Sequence, residues 1–111
     1  MDASWVSFEN GKTKNTVGSE NGFIISDEEY ILGARITVEE KTDIAEFSIT
    51  FGVYGLMFHT DYFRNFEETA AKVTIFKIRI EQIISHLSIE ESKRNIKWRE
   101  NYNLMLNKFI E

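Results

Sequence analysis

The sequence predicts an α+β domain, a mainly antiparallel sheet of four or five strands with two C-terminal helices packed on one face. Three observations carry this expectation. Period-two alternation of apolar residues dominates the first half of the chain. Residues 47–60, FSITFGVYGLMFHT, form the longest run of strand-forming residues. Beyond that run the apolar spacing changes to three and four, the period of a helix. Strands followed by helices argue for segregated layers.

At 111 residues the chain is expected to form a single domain over 1–111. Its 42% hydrophobic and 14% aromatic content is enough for a core. It has no cysteine, so disulfides, thiolate metal sites and cysteine nucleophiles are excluded. It also has no proline, so its turns fall to Gly, Asn and Asp. The formal net charge of -5 argues against nucleic-acid binding, which depends on neutralising phosphates, and suits a basic protein partner. No leader pattern and no membrane-length apolar run is visible, so a cytoplasmic protein is expected.

The elements follow in order. Ser4-Trp5-Val6-Ser7-Phe8 reads as a first strand and Asn10-Gly11 as a turn. Residues 12–21 are polar and read as a loop. Gly22-Phe23-Ile24-Ile25-Ser26 is a second strand, closed by an exposed acidic tripeptide, Asp27-Glu28-Glu29. From Tyr30 a third strand is expected. Tyr30, Leu32, Ala34, Ile36 and Val38 occupy its inner face, and Arg35, Thr37 and Glu39 its outer face.

Residues 40–43 read as a hairpin loop. In the next strand Ala45, Phe47, Ile49, Phe51 and Val53 point inward, and Glu46, Ser48 and Thr50 outward. Matching the faces predicts Ile36 opposite Phe47 and Ala34 opposite Ile49, or a two-residue shift of that register. Arg35 then lies opposite Ser48 and diagonal to Glu46. The alternation fails at Gly52-Val53-Tyr54-Gly55, where a bend is expected to split the run in two.

Asn65 with Glu68 three residues on has the form of a helix N-cap. Phe66, Ala70, Val73, Phe76, Ile80, Ile83 and Leu87 give the helix its apolar stripe. Ser88-Ile89-Glu90-Glu91 repeats the capping pattern and predicts a second helix, with Trp98, Tyr102, Met105 and Phe109 as its apolar line.

Chemistry-bearing residues are sparse. His59, with Asp61 or Tyr62 nearby, is the catalytic candidate, a general base for a small hydrolase or isomerase. Its bland alternative is a structural hydrogen bond at the strand end. His86 suits the negative pole of the first helix. Phosphate-loop and nucleophile-elbow patterns are absent. Two isolated histidines and scattered acidic pairs match no metal-site spacing, so neither metal nor cofactor is expected. The candidate partner-contacting residues are Asp27, Glu28, Glu29, Arg35, Glu46, Tyr54, His59 and Tyr62.

Gly33-Ala34-Arg35-Ile36-Thr37-Val38-Glu39, then Ile49-Thr50-Phe51-Gly52-Val53-Tyr54-Gly55 and His59-Thr60, resembles a pattern in small bacterial α+β proteins. Some of these are similar to immunity proteins of toxin systems. The resemblance implies a cytoplasmic domain that binds and blocks a basic toxin domain, and it transfers no catalytic residue. A third function class stays open beside the binding protein and the enzyme. The aromatics of residues 54–66 and 98–109 would suit a self-associating domain, a homodimer.

Overall fold

Five successive strand segments, with clear apolar alternation in β3 and β4, build one antiparallel sheet in chain order, β1-β2-β3-β4-β5, so each strand lies beside its sequence neighbour. The computed structural model describes residues 5–87 and 96–110. The strands are β1 (Trp5–Ser7), β2 (Phe23–Tyr30), β3 (Ala34–Glu40), β4 (Phe47–Val53) and β5 (Met57–Phe63). Two helices follow, α1 (Phe66–Leu87) and α2 (Ile96–Ile110). The expected α+β class is the observed one.

The inner face carries Tyr30, Ala34, Ile36, Val38, Ile49, Phe51 and Val53, which α1 covers with Phe76, Ile80 and Ile83. The Phe51 and Phe76 rings meet at the centre, 4.6 Å apart. Burial of these large apolar side chains is the main stabilising contribution. Asn65 caps α1 through its side-chain oxygen, which accepts the Glu68 amide at 2.8 Å. The inward stripe runs through Thr69 rather than the expected Phe66 and Ala70, both of which are exposed.

Helix α2 packs on α1 through the stacked rings of His86, Trp98 and Tyr102. Its Met105 and Leu106 reach the core. His86 Nε2 lies 2.8 Å from the Trp98 carbonyl, so this histidine joins the two helices. The predicted start of the second helix at Ser88-Ile89-Glu90-Glu91, and the side chains of Phe109 and Ile110, lie outside the described residues.

Three expectations need correction. First, the alternating run from Tyr30 is two strands. Residues 31–33 form a turn whose Gly33 sits at φ 125, a conformation other residues rarely adopt. Leu32, expected inside, is therefore 62% exposed. Second, Asp27-Glu28-Glu29 lies within β2, and Asp27 is buried rather than exposed. Third, Ile36 pairs with Phe51 and Val38 with Ile49, four residues away from the predicted register. The β3–β4 loop is longer than expected because Thr42 organises it. The Thr42 hydroxyl accepts the Ala45 amide at 3.0 Å and donates to the Ala45 carbonyl at 2.7 Å. Consequently Arg35 lies opposite Gly52, not Ser48, and Glu46 is an exposed loop residue. The bend expected at residues 52–55 is present as the turn between β4 and β5.

Candidate functional site

The outer face of the sheet is concave. Residues 12–22 fold back over it on one side, and the β4–β5 turn rises on the other. Between them lies an open cavity of about 1070 Å³. Its floor is made by Arg35, Thr37, Thr50, Gly52 and Thr60, the outward residues of β3, β4 and β5. Small or hydroxylated side chains at successive outward positions are what hollow the surface. Gly52 contributes no side chain at all.

The wall formed by residues 12–22 is held by backbone pairing with Gly22 and Ile24 and by one buried carboxylate. Glu39, fully covered on β3, accepts the Glu20 amide at 3.2 Å and the Gly22 amide at 3.1 Å. Gly18 passes so close that a Cβ there would lie 2.4 Å from the Glu39 carboxyl carbon. Satisfying backbone donors in this way offsets the cost of burying the charge. Opposite Glu39, Ser48 is also wholly covered, and its hydroxyl has no hydrogen-bond partner among the described residues.

Arg35 is fixed in the floor by a forked pair with Asp27. Its Nε donates at 2.8 Å and its Nη2 at 2.6 Å, while the Thr37 hydroxyl donates to the same carboxylate at 3.0 Å. The guanidinium also lies 3.6 Å over the Phe8 ring. Burial pushes the Asp27 carboxyl up, but the hydrogen bonds, led by that from Arg35, hold it below its ordinary value. The same pairing raises Arg35. The cation is thus paired internally, although its side chain is still 34% exposed in the cavity floor.

Two tyrosines tie carboxylates to the site's edge. Tyr54 donates to Glu29 at 2.5 Å, and Tyr62 donates to Glu20. Partial burial, with help from Glu29, pushes the Tyr54 phenol up to about 12. The hydrogen bond to Glu20 raises Tyr62. Both therefore stay protonated as donors at neutral pH. Val17, Tyr54 and Phe58 line the cavity with large exposed apolar surface, and Phe58 is 82% exposed.

The candidate residues divide between two faces. Asp27, Glu29, Arg35, Tyr54 and Tyr62 gather on the outer face, around the cavity. Glu28 lies on the helix side, where Lys77 of α1 pairs with it at 2.5 Å. Glu46 is at the far loop. His59 also faces the helix side, against Phe51, with its Nε2 2.8 Å from Asp61 Oδ1. Residues two apart on a strand share a face, so Asp61 is the neighbour His59 meets and Tyr62 is not. His59 does not line the cavity, whose charged lining residues are Glu20 and Arg35.

Sequence reading missed Val17, Glu20, Gly52 and Phe58 as site residues. The parity of Gly52 and Phe58 with Thr50 and Thr60 is a signal that could have placed them on one face. Nothing local in residues 12–22 announces which face they cover. Among the described residues, no three His, Asp or Glu side chains cluster as metal ligands would, and no helix is long and apolar enough to cross a membrane. Comparison with protein families, curated proteins and solved structures found no match to the chain.

Proposed function

We propose that this chain is a non-enzymatic protein-binding domain of immunity type, which blocks a basic toxin domain by taking a segment of it in the outer-face cavity. The supporting observation is the cavity itself, about 1070 Å³ and edged by the exposed side chains of Val17, Tyr54 and Phe58. An apolar concavity with a polar surround is what a protein-binding surface needs. Along its floor Thr37 donates to Asp27, and Thr50 and Thr60 share one hydrogen bond at 2.9 Å, which leaves one hydroxyl donor and the acceptor lone pairs for a peptide backbone. Glu20 and Glu29 place carboxylates at its margin, and the net charge of -5 favours encounter with a basic partner. Catalysis in the cavity has less support, because neither histidine lines it.

The test is native capture on the immobilised chain, compared with the Val17→Ser/Glu20→Lys double variant. Wild type is expected to retain a basic protein that salt releases, and the variant to lose it. Co-expression of the chain is expected to relieve that protein's toxicity. Equal retention by the variant, or toxicity unchanged by co-expression, refutes the reading.

A further inference from the structure

The sheet has two edges of unequal kind. β1 is three residues long and ends at once in the 3-10 turn Phe8–Gly11. β5 is seven residues long, in unbroken register with β4, and contains no lysine, glycine or proline. Among the described residues, Met57–Phe63 makes no backbone hydrogen bond outside the strand ladder. A long, regular edge is a template for another strand, provided that strand matches the one carboxylate, Asp61, that faces the helix side.

The sequence of β5 identifies the partner. Met57, His59, Asp61 and Phe63 share the helix side, and Phe58, Thr60 and Tyr62 the outer side. Two copies of one strand pairing antiparallel about a two-fold axis normal to the sheet keep like faces together, so the axis must pass through a residue. An axis through His59 sets Met57 against Asp61. An axis through Asp61 sets the two Asp61 carboxylates against each other, a destabilising pairing. An axis through Thr60 sets Met57 against Phe63, Phe58 against Tyr62 and His59 against Asp61, each twice, with the two Thr60 residues on the dyad. Of these three registers, the ones that keep five or more residues of β5 paired, only the last is complementary at every position.

We propose that the chain forms a homodimer by antiparallel pairing of β5 with β5 of a second copy, centred on Thr60, giving a continuous ten-stranded sheet. The His59–Asp61 contact within one chain, 2.8 Å long, becomes half of an alternating square of two imidazoles and two carboxylates. Phe58, 82% exposed in the single chain, gains the partner's aromatic ring beside it. The two α1 helices do not collide. Each α1 lies mainly over its own β4, and the two β4 strands are three strand spacings apart, about 14 Å, against the 8–10 Å that packed helices need. This inference does not depend on what the outer-face cavity binds.

The dimer is read by sedimentation from low micromolar to near-millimolar concentration, because a seven-residue edge buries less than a standard interface. Wild type is expected to show a concentration-dependent monomer–dimer equilibrium. His59→Asp sets like charges opposite across the dyad and is expected to weaken dimerisation about tenfold or more. The swap His59→Asp/Asp61→His restores complementarity and is expected to restore the dimer. Thermal melting at concentrations where all variants are monomeric separates folding from association.

Thr60→Cys gives a direct readout, since the chain has no other cysteine. A short bismaleimide is expected to join two copies at that position, whereas Glu46→Cys, in the far loop, is not joined. A wild type that stays monomeric throughout, a His59→Asp variant that sediments like wild type, a swap as weak as the single variant, or equal cross-linking of the two cysteine variants overturns the proposal.

Discussion

Replacing Arg35 by methionine is expected to cost more stability than replacing Asp27 by asparagine, although the two residues form one pair. The Asp27 side chain is completely covered, whereas that of Arg35 is 34% exposed. Arg35→Met strands a covered carboxylate that keeps hydroxyl donors, the Thr37 hydroxyl among them, but no cation. Breaking a fully buried pair in this way costs about 3–5 kcal/mol, and the partial access of water here reduces it to about 2–4. Loss of the contact with Phe8 adds about 0.5–1 kcal/mol, which Phe8→Leu measures separately. Asp27→Asn leaves a guanidinium that water can reach and retains an oxygen for Thr37, so about 1–2 kcal/mol is expected.

Urea unfolding at neutral pH reads both, with the larger fall in midpoint for Arg35→Met. The pH dependence follows from the lowered Asp27 carboxyl. A carboxyl held below its ordinary 3.8 contributes stability that is complete above that value and lost as pH falls through its folded value. The gap between wild type and Asp27→Asn should therefore be full at neutral pH and close below 3.8. An Asp27→Asn variant as costly as Arg35→Met, or a gap that persists in strong acid, refutes this account of the pair.

Other positions offer simpler tests. Asn65→Ala removes the α1 cap and is expected to cost about 1 kcal/mol by thermal or urea unfolding, with Asn65→Asp near neutral. Gly18→Ala forces a methyl group against the Glu39 carboxylate and is expected to cost about 1–3 kcal/mol. Proteolysis within residues 12–22 should rise with it. Ser48→Ala removes a covered hydroxyl that bonds to nothing described, and a raised melting temperature is expected. A clear loss of stability there would mean that the hydroxyl has a partner.

Much of the fold was legible because burial writes itself into the sequence as periodicity. Ala34, Ile36, Ile49, Phe51 and Val53 are all inside, as their alternation implies. Register was not legible, because any even slip preserves parity and only the Thr42 turn selects among slips. The turn at residues 31–33 was hidden for a related reason. Tyr30 and Ala34 are direct partners four apart, so the alternation runs through the turn unbroken. Asp27 looked like a turn acid because its partner, Arg35, lies on the next strand. The outer-face cavity needs residues 12–22 to fold over the sheet, and what seats that segment on the outer face includes Glu39 meeting amides 17 and 19 residues away. No local pattern encodes such a contact.

Because every strand sits beside the one that precedes it in the chain, no long loop must close before the sheet begins to assemble. Any of the hairpins β2–β3, β3–β4 and β4–β5 can form first and be extended outward, strand by strand, with α1 docking once β3 to β5 are in place. Low contact order of this kind favours fast folding, and the absence of proline removes the usual cause of a slow phase. Refolding should be complete well within a second and follow a single exponential.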